Sequence, residues 1–462
     1  MVIALAGVFL FLVYLFPLVV RGKGERDVFG PVFFLSVFGM MSVPYLWFIA
    51  WDRSYMAPEL RITPWIRDLE GVSVAYVLLM AVSFVFTLLG VRSGAARALA
   101  ARLPVQHASR MTPARCRVAL VFAVVVGLAA YFWFLHSIGG LLNLWAHMWL
   151  RTRLASGAGY LLYLYTLLLT YAAALLVYRL RFGRTPARMA QAVVGIMGIA
   201  VVLASTGGRA PLISLMIICF LVHHYCVRRR TRLLTPGIAA LGTVILAFFL
   251  AAPLFRTGGA FERYTQNPEL LGQDATKSLS LLAPQFSPFD RTAVMLAYFT
   301  PDRMWMGRSY IDLAFAPVPR SVYPRKPPVD DGVYLKMIVD GHPVRPSTPL
   351  AEMLPTSWPM GNLVLYMNFG PAGLLVGMFL GGVVIGAAYH YMRRTGYALV
   401  SVVVYQLSVL GIFQLSVYGI VQSMMNLAIV GAFFWAFFAP KRWPRPGAAA
   451  APAPAPATLA AG

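Results

Sequence analysis

Three clusters of basic residues sit where a phosphate-bearing ligand could be held. The first is Thr206-Gly207-Gly208-Arg209-Ala210-Pro211. Glycines let a backbone approach a ligand closely, successive amides form an anion nest, and Arg209 is expected to project from a helix N-terminus. A plain polar turn whose arginine snorkels to lipid headgroups is the competing reading. The second cluster, Arg256-Thr257-Gly258-Gly259, repeats the pattern more weakly. The third runs from Pro317 to Pro328, where prolines flank Arg320, Arg325 and Lys326. Proline stiffness lowers the entropy lost when charges clamp an anion. An arginine fork suits phosphate because it binds in a bidentate way. Here too a headgroup anchor is the alternative.

Candidate proton carriers follow downstream: Asp330, Asp331, Asp340, His342 and Glu352. A free imidazole titrates near pH 6.5, at about neutrality, and burial raises a carboxyl. Each also reads as an ordinary solvated or ion-paired loop residue. Tyr310, Tyr323, Tyr334 and Trp358 read as an interfacial aromatic belt. His136 and His147 lie on the same side, the latter in an amphipathic stretch, Leu141–Leu150, that suits an interfacial helix. His223, His224 and His390 are read as structural. Cys116, Cys219 and Cys226 form neither a disulfide framework nor a zinc pattern. No phosphate-binding P-loop or Ser-His-Asp pattern is present.

The elements that must position these groups follow from composition. Of 462 residues, 59% are hydrophobic and 12% charged, about half the charge of a soluble domain. The apolar excess falls in long runs, near 2–20, 30–50, 72–91, 118–137, 158–178, 189–205, 210–227, 234–253, 362–390, 397–417 and 419–439. Each approximates the roughly 20 residues that a spanning helix needs. The expected fold is therefore all-α, a polytopic bundle of about eleven spans with one large outer loop. A soluble enzyme, a nucleic-acid-binding domain and a disulfide-framed secreted module are excluded. Residues 1–253 form the first membrane unit of about eight spans, 254–361 the loop, and 362–440 about three further spans. Residues 441–462 form an Ala/Pro tail expected to be disordered and cytoplasmic. Asn368, Gly370, Pro371 and Gly373 interrupt the ninth run, which predicts a broken or re-entrant start. The first run has no basic stretch before it and is expected to be a retained helix rather than a cleaved leader.

The net charge of +23 divides unevenly along the chain. One alternate set of segments carries 22 of the 39 Lys and Arg residues and two acids, Glu25 and Asp27. The other carries 17 bases and fourteen acids, most of them in residues 254–361. The positive-inside rule, applied to the short loops, puts the first set in the cytoplasm, the N-terminus and the long loop outside, and the C-terminus inside. Chemistry that needs a carboxylate is then expected on the outer side. No Asp, Glu, Lys or Arg falls well inside a span, which argues against a proton-coupled transporter or a voltage sensor. Gln406, Gln414, Gln422 and Asn426 are expected to hydrogen-bond between helices. The loop is far longer than a connector needs, and its apolar Leu281, Leu282, Phe286 and Phe289 predict that it packs down on the membrane bundle.

Three stretches resemble the Wzy-type oligosaccharide repeat-unit polymerases, which include the O-antigen polymerases of bacterial inner membranes. They are the small-residue turn ending in Arg209, the loop stretch Pro319-Arg320-Ser321-Val322-Tyr323-Pro324-Arg325-Lys326-Pro327, and Tyr366-Met367-Asn368-Phe369-Gly370-Pro371-Ala372-Gly373. The second is similar to a family pattern in which Trp-Pro is commoner than Tyr323-Pro324, and the third to a family Tyr-x-Asn-Phe-Gly pattern. The resemblance implies a GT-C-like architecture in the inner membrane, acting on its periplasmic face. It implies a glycosyltransferase that moves a glycan from polyprenyl diphosphate to a hydroxyl of another lipid-linked repeat unit, with neither metal nor nucleotide as cofactor. Arg209, Arg256, Arg320, Arg325 and Lys326 would then bind the leaving diphosphate. Glu352, His342 or Asp331 would take the acceptor proton, and Tyr310, Tyr323, Tyr334 and Trp358 would contact glycan. The expected partners are the lipid-linked donor and acceptor, the bilayer and a chain-length regulator. The alternatives are an O-antigen ligase-like transferase, a glycan or lipid transporter, and a structural membrane subunit.

Overall fold

The computed structural model describes the chain except for residues 21–26, 57–59, 62, 105–110, 149–153, 155–157, 230–259, 271, 273, 275–286, 319–321, 354–356, 359–360, 412–414 and 439–462. Among the described residues there is no strand, and nine helices are long and apolar enough to cross a membrane. The elements used below are α1 (Val2–Val20), α2 (Pro31–Met41), α3 (Val43–Trp51), α4 (Leu69–Arg92), α5 (Gly94–Arg102), α6 (Pro113–Ser137), α7 (Leu141–Ala146), α8 (Gly159–Tyr178), α9 (Pro186–Ser205) and α10 (Ala210–Val222). They continue with α11 (Ala260–Gln266), α12 (Phe289–Tyr298), α13 (Arg308–Ile311), α14 (Asp331–Val339), α15 (Leu363–Arg394), α16 (Leu399–Gly411) and α17 (Val417–Phe438). Ten of the eleven apolar runs thus appear as helices; the run 234–253 lies outside the described residues.

Local signals start the spans where the apolar runs begin. The side chains of Asp68, Thr112 and Thr185 accept the amides of Gly71, Arg115 and Arg188, each capping an incoming helix. Such caps satisfy donors that the helix itself cannot. Pro113 and Pro186 occupy first-turn positions, where a missing N–H costs nothing. The second span is two helices, α2 and α3, joined at Ser42, with Pro44 just beyond the break.

The crossing of α4 and α15 is a backbone-to-backbone contact. A methyl group on Gly382 would fall on the carbonyl oxygen of Thr87, and one on Gly90 on that of Phe379. Small residues let membrane helices approach this closely, so that packing replaces the hydrophobic drive that lipid does not supply. The start of α15 is broken as expected: Gly370 has φ 65° and ψ −161°, outside any helix and essentially restricted to glycine. A Cβ there would also lie 2.7 Å from Cε of Met304.

The long loop packs on one end of the bundle. Phe289 is fully buried against Tyr45 of α3 and Tyr76 of α4. Leu281, Leu282 and Phe286 lie outside the described residues. The next residue, Asp290, accepts the Tyr45 hydroxyl at 2.7 and 2.9 Å. Tyr45 stands six residues before the end of α3, roughly 9 Å along the helix. The spans themselves carry no charge near their centres, but α12 brings a carboxylate down between them. At the opposite end, Asp27 accepts the hydroxyls of Tyr225 and Tyr389 at 2.7 and 2.8 Å, with His224 Nε2 at 3.4 Å. His224 is buried in this cluster. Of the span amides, Gln406 donates to Ser214 of α10, as expected; Gln414 lies outside the described residues, and Asn426 departs from the expectation, its buried Oδ1 having no hydrogen-bond partner among the described residues.

Candidate active site

The broken start of α15 is the platform on which the end of the loop sits. Before Gly370, Met367 accepts the amide of Trp305, and Asn368 donates to the Ser309 hydroxyl at 2.8 Å. Asn362 accepts the amide of Leu415, and the Tyr310 hydroxyl donates to the Leu415 carbonyl. Tyr310 also stacks on Phe369, with ring planes 14° apart. The Tyr-x-Asn-Phe-Gly stretch therefore holds α13, and Tyr310 and Asn362 tie the same junction to the chain entering α17.

Asp331 lies at the centre of this junction, 2% exposed. Its neighbour Asp330 caps α14 by accepting the Gly332 amide, and Asp331 Oδ2 accepts the Val417 amide at 2.8 Å. Burial pushes the Asp331 carboxyl up to about 7; the Val417 amide opposes the shift, while the charges of Asp330 and Asp312 add to it. Asp312 is buried as well, and burial raises it. It accepts the hydroxyls of Tyr334 at 3.1 Å and Ser347 at 2.8 Å. Burial, then the charge of Asp331, raises the Tyr310 phenol. Tyr163 of α8 meets Tyr418 of α17 hydroxyl to hydroxyl. The pair closes the flank of the cluster.

The expected site residues divide accordingly. Asp331, Tyr310, Tyr334 and Trp358 come together, Trp358 through its amide on the Gly332 carbonyl. Tyr334 is 0% exposed, its ring 5.1 Å from that of Trp305 and its hydroxyl committed to Asp312. It has no open face for a sugar and supports the floor of the site instead. Lys326 is buried and donates to the carbonyls of Ala316 and Val318 at 2.7 and 2.9 Å. Its ammonium ties Lys326 back to Ala316 and Val318, because a buried cation must find acceptors. Arg325 is exposed in the same segment, and Tyr323 is half-buried against Phe315. Arg320 and Arg256 lie outside the described residues. Glu352 and His342 are exposed, and their amides close tight turns on Pro349 and Met337.

Arg209 is half-buried at the start of α10. The turn before it is held by Trp145, which donates to the Ser205 carbonyl, by Tyr131 on the Ser205 hydroxyl, and by Tyr165 on Thr206. Gly207 has φ 67°, as a tight glycine turn requires. This turn is built from α6 to α10 and the Asp331 cluster from α13, α14, α15 and α17; α8 contributes to both.

Sequence reasoning passed over Ser309, Asp312 and Ser347, which complete the cluster. Ser309 and Asp312 fall three apart in Ser309-Tyr310-Ile311-Asp312, one face of a helical turn, and this is the one signal that marks them. Among the described residues, no group of three or more His, Cys, Asp and Glu side chains is gathered to hold a metal. No protein-family model, curated protein or solved structure matches the chain. The nine helices among the described residues that are long and apolar enough to cross a membrane make it a multi-pass helical membrane protein.

Proposed function

We propose that the protein polymerises polyprenyl-diphosphate-linked oligosaccharide repeat units at the outer face of a bacterial inner membrane. The observation that carries this reading is a buried carboxylate, Asp331, linked through the Ser309 hydroxyl to Asn368 of the broken helix built from the Tyr366–Gly373 stretch. Acceptor activation needs a base whose pKa lies near the working pH. Asp331 is the buried one of the three proposed bases, and burial pushes its carboxyl up to about 7. The half-exposed Tyr310–Phe369 pair beside it offers a face on which a sugar ring can stack.

In the proposed reaction the bond between the donor anomeric carbon and the diphosphate oxygen breaks. A bond from that carbon to the acceptor hydroxyl oxygen forms, and the hydroxyl proton passes to Asp331. The leaving diphosphate stays on its lipid, with its charge balanced by Arg209 and Arg325 together with Arg256 and Arg320. Fixed cations placed where charge develops are the main electrostatic lever for such a step. Lys326 acts by shaping the segment that carries Arg325.

The test is a reconstituted assay in nanodiscs, supplied with a polyprenyl-diphosphate-linked repeat unit. A ladder of longer lipid-linked glycans is expected, and Asp331→Asn should abolish it. Transfer to an added lipid A-core acceptor without a ladder would replace polymerase by ligase. Absence of transfer to either acceptor would overturn the reading.

A further inference from the structure

Between the end of α3 and the start of α4 the chain folds around an open cavity of about 440 Å³. Arg53, Arg61 and Arg67 line it together with the apolar Met56, Leu60 and Ile66. Arg61 donates to the carbonyls of Ser54 and Met56, which fixes its guanidinium against the loop backbone. Among the described residues, Arg53 and Arg67 have no hydrogen-bond or ion-pair partner and are exposed. The two carboxylates in the lining belong to the start of α4: Asp68 caps it through the Gly71 amide, and Glu70 sits in its first turn, where helix amides favour negative charge.

The position of the cavity suggests what fills it. Trp47, Phe48 and Trp51 are exposed on the last turns of α3, Trp51 by 89%. Exposed tryptophans at a span end mark the level of the headgroups. The cavity is separate from the Asp331 cluster. Trp65 ties the 52–68 segment to the carbonyl of Ile338, at the far end of α14 from Asp331 and about 10 Å along the helix.

We propose that this cavity seats the phosphate-bearing headgroup of an anionic membrane lipid. Guanidinium forks match phosphate oxygens in pairs, the apolar lining accepts the glycerol and the first acyl carbons, and the volume lies within the range of small-ligand sites. The inference does not depend on glycosyl transfer.

The test is lipid binding to the detergent-purified full chain by native mass spectrometry, with dioctanoyl phosphatidylglycerol and dioctanoyl phosphatidylcholine as probes. The wild type is expected to prefer phosphatidylglycerol by about tenfold, the worth of one charge-assisted hydrogen bond. The variant Arg53→Gln/Arg67→Gln should lose that preference, and Arg97→Gln, on α5 at the opposite end, should keep it. Equal phosphatidylglycerol binding by wild type and double variant, or no preference in the wild type, would overturn the proposal. So would inorganic phosphate binding as tightly as the lipid at the same arginines, since the site would then recognise free phosphate.

Discussion

Asp331 Oδ2 accepts the backbone N–H of Val417 at 2.8 Å, so a loop carboxylate holds the first turn of α17. The same group carries a pKa of about 7 because it is buried. Position and proton affinity are thus coupled in one side chain.

In the proposed transfer the ionised form of Asp331 is the active one. The rate at low substrate should rise about tenfold per pH unit below neutrality and level off above about 7. The stability term has the opposite sign. The folded pKa lies above that of an unfolded aspartate, about 3.9. The stabilising contribution is therefore complete below about 4 and is lost as pH rises to about 7. Asp331→Asn should remove both dependences; a rate profile unchanged in that variant would place the base elsewhere.

Replacement of the other two candidate bases separates the roles. Glu352→Gln and His342→Gln alter exposed side chains whose amides, not carboxylate or ring, make the local turns. Both variants should retain transfer within about twofold, as surface changes usually perturb little. A loss of a hundredfold in either, with Asp331→Asn active, would reverse the assignment.

At the opposite end, burial works against the charge of Asp27, but hydrogen bonds from His224, Tyr225, Tyr389 and the Phe29 amide outweigh it and hold the carboxyl at about 2. This contribution is present above the unfolded value of about 3.9 and disappears as pH falls through about 2. Asp27→Asn should cost about 1–3 kcal/mol, since hydroxyl donors lose a charged acceptor. Thermal unfolding in detergent at pH 7 measures it, and an unchanged midpoint would show that the cluster contributes nothing net.

The α4–α15 crossing admits no side chain. Gly382→Ala would press a methyl group onto the Thr87 carbonyl, and overpacking of this kind costs about 1–3 kcal/mol. Gly198, which has nothing within 4 Å of its would-be Cβ, is the control. Gly382→Ala should unfold at lower temperature than the wild type, while Gly198→Ala should match or exceed it. Equal midpoints for both variants would mean that the crossing relaxes freely.

Much of the fold was legible because spanning is a local property. An apolar run of about twenty residues must satisfy its own backbone in lipid, so run length alone sets a helix. The break in α15 was also local: Gly370 and Pro371 cannot both continue a helix. The wedge of Phe289 between α3 and α4 followed from its apolar character within a polar loop.

The candidate site was legible only in part. Asp331, Tyr310 and Trp358 were among the residues expected there, and the structure brings them together around the Tyr366–Gly373 stretch. Nothing in the sequence separated Asp331 from Glu352, or Tyr334 from Tyr323, because each is a residue of the same type in the same loop. Tertiary packing separates them. Asp331 and Tyr334 face inward where α14 meets α13 and the start of α17, and there a carboxylate loses water and a phenol must find Asp312. Lys326 was expected to reach for an anion, but the fold turns it onto two carbonyls of its own segment. Hydrophobic length is written residue by residue along the chain. The solvation of a polar group depends on what packs over it, and those neighbours come from distant parts of the sequence.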